Sequence, residues 1–177
     1  MEARSITIQR NGESTALSYA EGGQAEGTPV VCVHGWLDSW KSFTPITSAL
    51  CSSRKVFSLS LRGWGDSSKH GPFTIETYAA DVVGFLKALN IGPVILLGHS
   101  MGTIISTLVA SMHPSLVSGL ILIGAAASMN GDHVVDPDEG LTLAGVLQLV
   151  ETHPGTLHRD SLPMERFVDS AHTRSIL

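Results

Sequence analysis

The chain is short of positive charge: 11 Lys and Arg stand against 16 Asp and Glu, for a net charge of −5, and the basic residues nowhere cluster. Without a basic patch there is no electrostatic footprint for nucleic acid or for an anionic membrane surface, so neither is expected as a partner. Only two cysteines occur, Cys32 and Cys51. They have neither metal-ligand spacing nor a disulfide framework, and read as core or spacer residues. No metal or organic cofactor is expected. The longest apolar runs, "PVILLG" and "GLILIGAAA", fall well below the roughly 20 residues a membrane-spanning helix needs. The opening "MEARSITIQRNGES" lacks the apolar core of a signal peptide. A soluble, cytoplasmic protein is the expectation. What is plentiful is core material: 43% of the 177 residues are hydrophobic and 15% are charged, enough for one globular domain.

Alternating apolar and polar residues in "SITIQR" and "ALSYAEG", joined through Asn11-Gly12, predict a hairpin. The pattern then changes to short continuous apolar runs, "PVVCVHG", "KVFSLSLRG", "GPVILLGHS" and "VSGLILIGA", each ending in a Gly-containing turn. Strands buried on both faces of a parallel sheet have this look. Between the last three lie helical patterns. In "TIETYAADVVGFLKALN", Ile75, Tyr78, Ala79, Val82, Leu86 and Leu89 recur at helical spacing behind Thr74 as N-cap, with a stop near Asn90 and Gly92. In "MGTIISTLVASMHP", Ile104, Ile105, Leu108, Val109 and Met112 form one stripe ending before Pro114. Strand and helix in alternation predict an α/β fold with a doubly wound, mostly parallel sheet. Residues 1–128 are read as this core. From 129 to 177 the sequence turns polar and then helical in "LTLAGVLQLVE" and "PMERFVDSAH", without further strand-like runs.

Candidate chemistry centres on Gly98-His99-Ser100-Met101-Gly102. A G-x-S-x-G pentapeptide is a weak signal alone, and Ser100 could be an ordinary serine in a Gly-rich loop. Here a buried strand runs into it and a helix leaves it, which places Ser100 on a sharp strand-turn-helix elbow, with Gly98 and Gly102 keeping the turn free of clashes. A serine there projects above the carboxyl end of the sheet, at the positive end of a helix. A second turn, His34-Gly35-Trp36, ends an earlier strand. The amides of Trp36 and Met101 together could form a two-donor oxyanion hole, the plain alternative being a strand-ending turn. Trp36, Leu37, Trp40 and Met101 could line an apolar pocket, or equally be ordinary packing. Arg62-Gly63-x-Gly65 matches neither a dinucleotide fingerprint nor a phosphate-binding loop.

In order along the chain, "HGWLDSW", "LRGWGDSS", "GHSMGT" and "HPSLVSGLILIG" resemble the α/β-hydrolase superfamily, nearest the branch of esterases, enol-lactonases, carbon-carbon bond hydrolases and cofactor-free haloperoxidases or perhydrolases. The resemblance covers residues 15 to 128. It implies Ser100 as nucleophile, Trp36 and Met101 as oxyanion donors, and His34 and Arg62 as residues bracing neighbouring loops, near the structural Gly35, Gly98 and Gly102. Ser60 stands where that family usually has an acidic residue. The resemblance also implies an acid and a histidine on loops after two further strands, which do not follow here. Residues 129–177 resemble the start of a helical lid, as in a chain truncated at its C-terminus. The order Ser, Asp, His is still present, with Asp132, Asp136 or Asp138 as acid and His153, His158 or His172 as base, although each histidine can equally be a solvated surface residue. Two functions are expected: a serine hydrolase taking an apolar ester, lactone or similar carbonyl substrate, or a shortened, non-catalytic hydrolase-like binding module. The apolar run "GLILIGA", left at the edge of the sheet, would invite self-association.

Overall fold

The computed structural model describes residues 1–10, 12–24 and 27–124. Asn11 of the predicted turn, the segment 129–177, and with it Asp132, Asp136, Asp138, His153, His158 and His172, lie outside the described residues.

Strands β1 (Glu2–Arg10) and β2 (Glu13–Gly22) form the hairpin, in register from Glu2 opposite Glu21 to Arg10 opposite Glu13. Gly12, in the turn between them, takes φ +80°, which glycine reaches without steric cost. The four continuous apolar runs become β3 (Val30–Val33), β4 (Val56–Leu59), β5 (Val94–His99) and β6 (Val117–Ile123). The six strands among the described residues order as β1-β2-β4-β3-β5-β6. β1, β2 and β4 pair antiparallel, whereas β4, β3, β5 and β6 are parallel. The expected α/β architecture with a mixed, mostly parallel sheet is therefore found.

Helices cover both faces because the central strands are apolar on both. Val31 and Val33 of β3, with Phe57 and Leu59 of β4 and Leu96 of β5, point into the larger core under α2 (Ile75–Ala88) and α3 (Met101–Met112). Val30, Cys32, Val56 and Leu97 point the other way, packing with Phe43 and, on α1 (Thr44–Cys51), with Leu50 and Cys51. This two-residue alternation is the strand pleat made visible. Thr74 caps α2 as expected, its side chain accepting the Thr77 N–H, and the chain leaves that helix through Asn90 at φ +52°. The α3 stripe needs correction. Met112 is 63% exposed, while the buried face takes in Thr103, Ser106 and Thr107 besides Ile105 and Val109. The helix is wedged so deeply against the sheet that small polar residues fill the close contacts, and its last turn projects past the core.

Arg62 follows β4 and is fully buried. Its Nε and Nη2 donate to the two carboxylate oxygens of Asp81 on α2, at 2.5 and 2.7 Å, and Nη2 also donates to Thr15 Oγ1 at 3.1 Å. This forked pair ties the end of β4 to α2 and, through Thr15, to β2. The pairing raises the guanidinium pKa, with burial opposing it. Ser60 braces the same region: its Oγ accepts the Trp40 N–H at 3.1 Å and its carbonyl accepts from Ser67 Oγ at 2.7 Å. No described helix is long and apolar enough to cross a membrane.

Candidate functional site

The strand order reverses around β3, which is flanked by β4 on one side and β5 on the other. Loops leaving β3 and β5 diverge at such a point and open a crevice at the carboxyl ends of the strands. His34-Gly35-Trp36 leaves β3 there, and Ser100 leaves β5.

Ser100 adopts φ 51°, ψ −120°, a conformation that costs a non-glycine residue about 1–3 kcal/mol and persists only where its surroundings enforce it. Its N–H donates to Ile123 O at 2.9 Å on neighbouring β6, and its carbonyl accepts both the N–H and the Oγ1 hydroxyl of Thr103, at 2.9 and 2.6 Å. Packing completes the enforcement. A Cβ on Gly102 would collide with the carbonyl of Val33 and lie 2.9 Å from His34 O, and one on Gly98 would lie 2.7 Å from the Gly102 carbonyl carbon. The first turn of α3 thus sits directly on the end of β3. Although Ser100 occupies the N-cap position of α3, its side chain makes no capping bond. The hydroxyl is left available at the mouth of a helix whose first amides have no helical partner.

The His34-Gly35-Trp36 turn is brought against this serine. A Cβ on Gly35 would lie 3.0 Å from Ser100 Cβ and 3.4 Å from His99 Nδ1, so only glycine lets the backbone pass so close. His34 is wholly buried and uses both ring nitrogens: Nε2 accepts the Leu61 N–H at 3.0 Å, which leaves Nδ1 to donate to Gly35 O at 2.7 Å. Because C=O and N–H of a trans peptide point in opposite directions, fixing the Gly35 carbonyl also fixes the direction of the Trp36 N–H. Bracing by His34 is therefore specific in its effect. It holds one peptide beside Ser100.

Burial lowers the His34 pKa from its ordinary value near 6.5; the Gly35 bond and Asp38 act against that shift, and His99 adds to it. The native state thus holds this imidazole neutral while the unfolded chain protonates it near 6.5. The stabilising contribution is complete above that pH and declines below it as the unfolded chain takes up the proton. Urea unfolding followed at pH 7.5, 6.5 and 5.5 is expected to show stability falling by up to about 1 kcal/mol per unit on the acid side. His34→Gln should flatten that part of the profile.

The four residues proposed for an apolar pocket separate. Trp36 and Leu37 are 54% and 76% exposed, and Trp36 meets Trp64 edge to face, with centroids 5.0 Å apart at 70°. Trp40 is held to the end of β4, its carbonyl accepting Ser58 Oγ at 2.8 Å. Met101 takes the packing alternative: its side chain is buried in the main core, because a residue directly after Ser100 on α3 faces the sheet. Only its backbone belongs to the turn. The sequence reading missed Asp81, Ser67 and Trp64. Asp81 carried a signal, a carboxylate among the apolar positions of a helix; the other two carried none. No group of three or more His, Cys, Asp or Glu that could hold a metal ion is found among the described residues.

Residues 28–166 match the family model of the alpha/beta hydrolase fold. The chain is 32% identical over 113 residues to an sn-1-specific diacylglycerol lipase, ABHD11, of Danio rerio, covering 63% of this chain and 36% of that protein. It is 34% identical over 106 residues to the uncharacterized hydrolase YugF of Bacillus subtilis (strain 168), covering 59% and 39%. Among solved structures, a thermophilic esterase from Thermogutta terrifontis superposes with a TM-score of 0.64 at 29% identity, over 72% of this chain and 47% of that one. The chain spans about 36–39% of the length of the two curated relatives it matches here.

Proposed function

Because the chain belongs to the alpha/beta hydrolase family, we propose that it acts as a serine hydrolase on an apolar ester, lactone or similar carbonyl substrate, with Ser100 as nucleophile. The observation that carries this reading is the enforced backbone of Ser100, with its hydroxyl uncommitted to capping and the Gly35-Trp36 peptide alongside. In the reaction, Ser100 Oγ bonds to the carbonyl carbon as its proton passes to a base. The carbonyl electron pair moves onto oxygen, where the Trp36 and Met101 amides hold the oxyanion. Collapse of the tetrahedral adduct expels the alcohol, and water then releases the acid by the same steps. Exposed Trp36 and Leu37 beside the site favour an apolar acyl or ring portion of the substrate.

The base belongs to the same proposal. His34 has no free nitrogen, and the one histidine-carboxylate ion pair among the described residues, His70–Glu13, lies on the exposed hairpin side. Chain order keeps Asp132, Asp136 or Asp138 as candidates for the acid and His153, His158 or His172 as candidates for the base, with Asp132, Asp136 and His172 the first to substitute. Both cysteines are free, which suits a cytoplasmic setting. A second reading, a hydrolase-like binding module without turnover, draws on the same absence of a paired histidine beside Ser100 among the described residues.

Fluorophosphonate labelling of the purified chain, with Ser100→Ala as control, separates the two. Monomer and oligomer fractions are labelled separately after size-exclusion chromatography. Labelling of the wild type, absent in Ser100→Ala, is expected. Equal labelling of both would sink the nucleophile assignment, and a folded chain that takes no label at all would favour the binding module.

A further inference from the structure

We infer that Trp64 is a positioning residue, which holds the Trp36 amide in place beside Ser100 through the edge-to-face contact of the two indoles; its use in catalysis rests on the reading above. The Gly35-Trp36 peptide has two handles. One is the Gly35 carbonyl, held by His34, whose ring is itself held by the Leu61 N–H. The other is the Trp36 side chain, which is 54% exposed and so is not fixed by burial. Its ring rests on Trp64, 5.0 Å away and 70° inclined, an arrangement favoured by the ring quadrupoles.

Trp64 can serve as an anchor because its own place is secured. Its N–H donates to Leu61 O at 3.1 Å, its carbonyl accepts from Ser67 N–H at 3.0 Å, and Ser67 Oγ reaches back to Ser60 O. Its half-buried ring packs against the main core. Both handles therefore lead to a single loop, the turn after β4 running from Leu61 to Ser67. That loop grips the peptide once through a hydrogen bond and once through an aromatic contact. With the aromatic grip removed, the ratio of held to released Trp36 is expected to fall roughly two- to tenfold, the range such ring pairs support.

The chain contains only three tryptophans, Trp36, Trp40 and Trp64. Incorporation of 15N-tryptophan therefore gives three backbone amide signals, assigned by substitution. In Trp64→Leu, which keeps apolar volume but removes the ring, the Trp36 amide is expected to shift and broaden while that of Trp40 stays in place. Trp64→Phe, which keeps a ring edge, should restore the Trp36 signal. Phosphonylation of Ser100 should slow two- to tenfold in Trp64→Leu through its maximal rate rather than its half-saturating concentration, and Trp36→Leu should add nothing to that loss. A Trp36 amide unchanged in Trp64→Leu, or Trp36 and Trp40 signals moving together in both variants, would overturn the inference. The amide spectrum decides it even if Ser100 takes no phosphonate, a result that would instead count against the nucleophile.

Discussion

Asp81→Ala is expected to destabilise the protein by about 3–5 kcal/mol, because it strands a guanidinium in the core. Arg62 is entirely buried, and its strongest partner is the carboxylate that the substitution removes. What remains is the Thr15 hydroxyl and the Gly71 carbonyl, at 3.1 and 3.4 Å, neither of which carries charge. Since a domain of this kind is held by only about 5–15 kcal/mol in total, the loss takes a large fraction of it. Urea unfolding followed by circular dichroism measures the effect. The cost arises from the orphaned charge rather than from the loss of a strong bond, so Arg62→Met combined with Asp81→Leu should be more stable than Asp81→Ala alone. If the double variant were the less stable, the ion pair would be a larger net contributor than this account allows.

Gly102→Ala is expected to be at least as damaging, by a different route. A methyl there would drive into the Val33 carbonyl and approach His34 O to 2.9 Å. Backbone cannot rotate aside as a side chain can, so α3 must lift from the end of β3. The expected cost exceeds about 4 kcal/mol, in the range reserved for gross steric conflict, and the yield of soluble protein should fall with it. Gly12→Ala is the matched control. It also alters a glycine, at φ +80°, but its Cβ would meet nothing within 4 Å, so only conformational strain of about 1 kcal/mol is expected. Thermal unfolding of the two variants side by side tests whether close approach, rather than glycine content, is what the structure needs.

Where pattern is local, it was legible in the sequence. The continuous apolar run in "PVVCV" announces a strand buried on both faces, and Val31 and Val33 do part from Val30 and Cys32 into the two cores. Thr74 ahead of the helical stripe that begins at Ile75 announces the start of α2, and its capping bond from the Thr77 N–H is there. The glycines around Ser100 announce a turn between strand and helix, and the backbone makes it. Pairings across the fold left no such trace. Nothing near Arg62 names Asp81 as its partner, and nothing near Trp36 names Trp64, because those contacts depend on how α2 and the loop after β4 settle on the sheet. For Met101 the sequence left pocket and packing equally open for a related reason. Next to a serine at the surface of a turn it looks like a pocket residue, but one step into α3 the helix has already rotated it toward the sheet.

The strand order has a bearing on how the chain reaches this state. β3 is central, yet one of its neighbours, β5, is encoded far downstream: Val30 pairs with Ile95, and the two are separated by β4 and α2. During synthesis the hairpin, β3 and β4 can associate early, since their contacts are comparatively close in sequence. β3 must then wait with one edge open until β5 emerges. Closing that long loop carries an entropic cost before its contacts form, so central-strand docking is expected to be the slow event of folding. The Ser100 turn and the Gly35-Trp36 peptide meet only in that event, so the candidate site is assembled at the same moment the sheet closes.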